Sequence, residues 1–171
     1  MLISKEMQSA INEQIGNELL ASHQYILIAT YFDGEGLPSL AQHFYKQSVE
    51  ERDHALRFIK YLVEADATVR IPAIPAPRPT FKNATDAVAL ALESEKRVTK
   101  QINEIVDLAV KQRDHSSKNM LEWFVMEQRE EMSSMDTLLR MVKRAGESGM
   151  FFVDNFLLQG GLSEAEAEAA D

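Results

Sequence analysis

Leu40, Phe44, Gln47, Glu51, His54, Phe58, Tyr61 and Ala65 follow one another in steps of four and three. That spacing marks the seam a helix turns toward its partners in a bundle. Glu51 and His54 interrupt an otherwise apolar line, where neither group is stable unpaired. Three residues apart on a helix, they share a face within about 6 Å of each other. Two readings fit the pair alone: a hydrogen bond that tunes a core, or two ligands for a transition-metal ion. The rest of the chain decides between them.

The same period occurs three more times. Ile11, Ile15, Glu18, Ser22, Tyr25, Ala29 and Phe32 define a first helix that Ser4 can cap and that ends in Gly34-Glu35-Gly36. Pro38 or Ser39 starts the second, and the short break makes the two antiparallel neighbours. Val88, Leu92, Glu95, Thr99, Ile102, Val106 and Ala109 form a third seam, opened by Asn83 or Thr85. Leu121, Phe124, Gln128, Glu131, Met135, Leu138 and Val142 form a fourth, stopped by Gly146 and Gly149.

Between the second and third helices lie Pro72, Pro75, Pro77 and Pro79, which forbid helix and favour an extended path. The stretch 67–81 can reach ~45 Å at ~3.3 Å per residue. A helix from Ser39 to Asp66 is about 42 Å long. The connection can therefore travel back along the whole bundle, and the expected fold is an all-α four-helix bundle with one long crossover. Residues 150–158, Met-Phe-Phe-Val-Asp-Asn-Phe-Leu-Leu, predict a fifth short helix too apolar to lie bare. It packs against another chain or folds back on its own bundle. One domain over 1–160 and a flexible acidic tail over 161–171 complete the expected organisation.

The balance of 18 basic and 27 acidic residues, a formal charge of −9, argues against nucleic acid and suits either cationic partners or plain solubility, which charge alone does not separate. No cysteine is present, which excludes disulfides, zinc–thiolate and iron–sulfur sites. Neither a signal-peptide pattern nor an apolar run of membrane-spanning length occurs, so the expectation is a cytoplasmic protein with no membrane partner.

Every long helix carries a carboxylate at a core position: Glu18, Glu51, Glu95 and Glu131, joined by His54 and Gln128. Glu18 and Glu51 lie comparable distances either side of the Gly36 turn, and Glu95 and Gln128 do so about Arg113. One buried carboxylate has a simple explanation in a raised pKa or a hydroxyl partner. Four at one level repel one another in a low-dielectric core, and metal cations remove that repulsion. Hard oxygen ligands with one imidazole and no sulfur suit iron or manganese.

At these residues the chain resembles the bacterial non-haem ferritins, from Ile11 to the short fifth helix. The matching pieces are Asn12-Glu-Gln-Ile-Gly-Asn-Glu18, Glu50-Glu51-Arg-Asp-His54, Leu92-Glu-Ser-Glu95 and Trp123-Phe-Val-Met-Glu127-Gln128-Arg-Glu-Glu131. The resemblance implies a ferritin-like di-iron fold and function. Glu18, Glu51 and His54 would hold one iron, and Glu51 would bridge to a second held by Glu95, with Gln128 close by. Tyr25, seven residues after Glu18, would take part in electron transfer; read from the residues alone it is an aromatic core residue bonded to a carboxylate. Glu50, Glu127 and Glu130, with Glu131, would hold a third iron, or else form a solvated acidic face.

Departures from related families narrow the expectation. The fourth helix carries Glu127-x-x-Glu130 and Gln128-x-x-Glu131, not the second Glu-x-x-His of bacterioferritins and larger di-iron oxidases. Arg52 stands where bacterioferritins place a haem-ligating methionine, so no haem is expected. Rubrerythrin-like proteins need a cysteine-bound iron. Met132, Met135 and Met141 read as gap-fillers, Trp123 as core packing, and His23, His43 and His115 as surface or interface residues. The implied function is iron storage with ferroxidase activity: Fe(II) is oxidised by O₂ or peroxide, and a ferric oxide mineral is laid down in a twenty-four-subunit homo-oligomeric cage. A silent structural cage subunit and a di-iron oxidase of organic substrates are the rivals.

Overall fold

The protein is described by a computed structural model over residues 2–162. Four helices make up the bundle: α1 (Lys5–Gly34), α2 (Pro38–Glu64), α3 (Ala84–Gln112) and α4 (His115–Leu158). Their starts are chemically specified. Ser4 accepts the Met7 N–H at 3.0 Å, Asn83 that of Asp86 at 2.9 Å and Asp114 that of Ser117 at 2.9 Å. Each side chain satisfies a donor that the first helical turn leaves without a partner. Pro38 begins α2, where its missing N–H costs nothing.

α1 packs chiefly on α2 and α3 on α4, with α1–α3 and α2–α4 contacts closing the bundle. The apolar core falls into two clusters. One contains Tyr25, Phe32, Phe44, Leu92, Met135 and Leu138. The other contains Ile11, Ile15, Phe58, Ile102, Leu121 and Phe124. Each helix passes from one cluster to the other through polar residues: Glu18 on α1, Glu51 and His54 on α2, Glu95 on α3, Gln128 and Glu131 on α4, all buried. The carboxylate layer is the seam between two hydrophobic blocks.

The crossover is zipped onto α1. Thr68 N–H donates to Gln8 Oε1 at 3.0 Å. Asn12 donates to the Thr68 carbonyl at 2.9 Å and accepts the Arg70 N–H at 2.6 Å. Gln24 repeats that pairing with Arg78 at 3.0 and 2.8 Å. Phe81 then meets Tyr31 with ring centroids 5.4 Å apart. From Gln8 to Tyr31 the helix rises ~35 Å, so the strand-like segment climbs nearly all of α1. Gly16 allows the passage, since a Cβ there would overlap the Pro72 ring.

Two seams drift from their expected register. Leu62 is fully buried and Tyr61 only half-buried; Val98 and Ile105 are buried where Thr99 and Val106 are half-buried. Over the three heptads from Leu40 a helix of 3.6 residues per turn lags a strict four-three count by about 60°, which turns Leu62 inward in place of Tyr61. Val98 and Ile105 instead precede their expected positions and are buried in the cluster with Ile11, Ile15 and Ile102.

The expected fifth helix is the end of α4, beyond a break at Gly146 (φ 60, ψ 180). Gly149, expected as a stop, lies within the helical run. Met150 and Val153 are buried in the bundle's own core, and Asp154 is buried with them. Phe151, Phe152 and Leu158 remain 73–78% exposed. The segment therefore folds back on its own chain with one face and leaves the other uncovered. Leu162 is buried against the same core cluster; of the expected acidic tail, residues 163–171 lie outside the described residues. No described helix is long and apolar enough to cross a membrane.

Candidate metal centre

Glu18, Glu51 and His54 come together at the middle of the bundle. Each offers one ligand atom, and these atoms all lie within 4.8 Å of one another. His54 Nδ1 is 3.4 Å from Glu51 Oε2. Glu18 Oε2 and both Glu51 oxygens are shielded from solvent and have no hydrogen-bond partner. Three buried lone-pair-bearing atoms without donors, beside an imidazole, are what a cation site leaves when read without its cation.

The opposite side of the layer is hydrogen-bonded. Tyr25 O–H donates to Glu95 Oε1, and Gln128 Nε2 donates to Glu95 Oε2 at 3.2 Å. Thr99 Oγ1 in turn donates to Gln128 Oε1 at 3.3 Å. α1, α3 and α4 are tied through this one carboxylate.

The electrostatics follow from burial and crowding. Burial, then the charges of Glu95 and Glu18, pushes the Glu51 carboxyl well above the usual range. Glu95 is pushed up to about 7, chiefly by burial, with the Tyr25 hydrogen bond opposing. Glu131 is raised by burial and then by Glu95. Tyr25 is raised for the same two reasons, so its phenol stays protonated and remains a donor. Several carboxyls that resist ionising together, in a dry layer, are neutralised by protons or by a cation.

Glu50, Glu127, Glu130 and Glu131 line a small cavity of about 90 Å³ with His43, Lys46 and Gln47. Among the described residues they do not gather as Glu18, Glu51 and His54 do. Glu130 is exposed, and Glu50 is engaged by Gln47 Nε2 at 2.5 Å and Lys46 Nζ at 3.4 Å. Glu127 Oε1 stands 4.0 Å from His54 Nε2. Burial raises the Glu127 carboxyl and the nearby His54 opposes it.

Trp123 is half-buried: its ring meets His54 edge-on at 5.4 Å, and the Arg57 guanidinium lies 3.8 Å above its centroid. His23 and His115 are exposed, as expected of surface residues. His43 is not: its ring is half-buried with Nε2 shielded and unpartnered, and burial lowers it to about 4. Arg52, at the position argued against haem, is exposed and 3.8 Å from Asp53. Sequence reasoning passed over Gln14, which is buried and donates to Glu18 Oε1 at 2.9 Å. Its signal was available, since a residue four before a buried carboxylate faces it on a helix.

A profile described as the ferritin-like domain matches residues 8–145. The chain is 41% identical over 169 residues to ferritin BfrB of Mycolicibacterium smegmatis, covering 99% of this chain and 91% of that one. It is 32% identical to the bacterial non-heme ferritin of Bacteroides fragilis, covering 92% and 99%. Among solved structures, an open pore ferritin from the hyperthermophilic archaeon Archaeoglobus fulgidus superposes with a TM-score of 0.88 at 31% identity, covering 91% of this chain and 96% of that one. A polar layer of this make-up inside an all-helical bundle, with matches along nearly its whole length, places this chain in the ferritin family, among the bacterial ferritins that store iron.

Proposed function

We infer that the chain is a ferroxidase that stores its own product. The observation that carries this reading is the set of unpartnered, buried oxygens of Glu18 and Glu51 beside His54. Fe(II) is the substrate. Each ion gives up one electron, O₂ or peroxide accepts the electrons, and hydrolysis of Fe(III) releases protons as the oxide forms. Glu18, Glu51 and His54 supply the first binding position. Glu51, with both oxygens free, bridges toward a second held by Glu95, with Gln128 close by.

The other side chains have separate tasks. Gln128 and Tyr25 orient Glu95 through their hydrogen bonds. An electron leaving the Tyr25 ring would release its phenolic proton to Glu95 along the bond already present, which is the support for a catalytic Tyr25. Glu131, Glu127, Glu130 and Glu50 form an acidic path on the α2–α4 side, where a third iron is held before mineral growth. The cavity there, about 90 Å³, has no room for an organic substrate of ordinary size, and the groove of about 680 Å³ that shares His43, Lys46 and Leu162 with it is lined by none of the candidate ligands, which favours iron storage over the oxidase reading.

The uncovered Phe151, Phe152 and Leu158 support burial between subunits, and the likeness to ferritins supports twenty-four of them in a closed cage. Arg52 offers no soft ligand, so the cage carries no haem and shows no Soret band. The absence of a membrane-crossing helix among the described residues is consistent with a cytoplasmic place. Loading the apoprotein with Fe(II) in air, then imaging it unstained and measuring its mass, tests the whole reading. An electron-dense core inside a shell of uniform mass is expected. A monomer or dimer that oxidises no iron would overturn it.

A further inference from the structure

Gln14 occupies a place on α1 that the metal reading leaves unused. Its side chain is 1% exposed. Nε2 donates to Glu18 Oε1 at 2.9 Å, and its own Oε1 accepts from Asn17 Nδ2 at 3.3 Å. The strut is directional: an amide N–H can only donate, so it holds one named carboxylate oxygen. The other oxygen, Glu18 Oε2, is the one left shielded and unpartnered.

A groove of about 240 Å³ lies between α1 and α3, lined by Glu13, Gln14, Asn17, Gln101 and Glu104 among others. Gln14 lines this groove and Glu18 does not, so the amide stands between the two. Without it, Glu18 Oε1 is free either to turn outward to water or to join Oε2 on a metal ion.

We propose that Gln14, braced by Asn17, is a positioning residue that ties Glu18 Oε1 back and presents Oε2 alone to the metal centre. This rests on the Glu18–Glu51–His54 reading and adds to it how the first ligand is made one-toothed. Outer partners of this kind set ligand orientation, and their loss typically weakens metal binding by about 10- to 100-fold.

The test uses the full-length protein and Co(II), whose visible absorption reports coordination number independently of iron oxidation. Gln14→Met keeps side-chain volume and removes the donor. The expected result is an altered Co(II) band intensity with affinity lowered about tenfold, while far-ultraviolet circular dichroism matches wild type. Asn17→Ala, which leaves Gln14 in place, shifts the spectrum in the same direction by less. Gln101→Leu, in the same groove but without a bond to Glu18, leaves it unchanged. A wild-type spectrum and affinity in both Gln14→Met and Asn17→Ala, while Glu18→Ala alters both, overturns the strut and spares the metal centre. If Glu18→Ala also leaves Co(II) binding intact, the metal-centre reading itself fails.

Discussion

Asp154 Oδ1 accepts the backbone N–H of Leu40 at 2.8 Å, across 114 residues of sequence. The N-cap residue of α2, Leu37, has no side chain able to do this. The C-terminal segment thus supplies the missing cap from outside, and its negative charge sits at the positive end of the helix. This bond, with Met150 and Val153 in the core, holds the segment against its own bundle while its phenylalanines face outward.

Asp154→Ala should therefore destabilise the bundle by about 1–2 kcal/mol, the usual worth of a buried N-cap. Asp154→Asn, which keeps an acceptor, should lose less. Chemical denaturation of the two variants checks the order. Truncation after Gly149 should cost more than either, because Met150 and Val153 leave the core with the cap. Its mass by light scattering should fall below that of the full shell.

The crossover offers a second test. Asn12→Ala removes both hydrogen bonds to the Thr68 carbonyl and the Arg70 N–H, leaving these part-buried backbone groups unpaired. The expected loss is about 1–3 kcal/mol. Gly16→Ala should also destabilise, since its methyl would overlap Pro72. Both are read from unfolding midpoints, and neither should change Fe(II) oxidation in protein that remains folded, because the crossover contributes no group to the centre.

Stability of the apoprotein should depend on pH in an unusual direction. The Glu95 carboxyl stands at about 7 against an ordinary 4.5, and Glu51 and Glu131 are raised as well. In that window the folded state binds more protons than the unfolded chain, so stability from these groups is present below pH ~4.5 and is lost as pH rises through ~7. His43, lowered to about 4, acts oppositely: its contribution is lost as pH falls from 6.5 toward 4. Above pH 6.5 the remaining gain from His43 is small and the loss from the carboxyls dominates. The apoprotein midpoint should therefore fall between pH 6.5 and 8, with Glu95 alone worth roughly 2–3 °C. Zn(II), a redox-inert occupant, should flatten that slope by neutralising the layer.

Much of this was legible in the spacing of residues. The four-three period alone put Glu18, Glu51, Glu95 and Gln128 on inward faces, and all four are buried. The prolines after Asp66 marked the crossover because proline cannot continue a helix. What the period could not supply was the cumulative lag of a 3.6-residue helix, hence Tyr61 for Leu62, or which of two adjacent residues such as Val98 and Thr99 the core takes. Nor could it say which side chains converge. Glu50, Glu127, Glu130 and Glu131 share a cavity without closing on one point, because Lys46 and Gln47 engage Glu50 first. His43 reads in sequence as a surface or interface residue because no ligand partner stands near it; the C-terminal segment that lines a groove with it, Phe151 and Leu158 among its residues, arrives from more than 100 residues away.

The central claim is that the Glu18–Glu51–His54 centre oxidises iron, and stopped-flow absorbance of the ferric product in Glu51→Ala and His54→Ala tests it most directly. Glu51 has two free oxygens for two ions where His54 has one nitrogen to give, so its loss should be the more severe. Fast oxidation should fall in Glu51→Ala by more than the about 10- to 100-fold that loss of an outer partner costs a metal site, while mass and helix content match wild type. A wild-type oxidation rate in an assembled Glu51→Ala protein would contradict that claim.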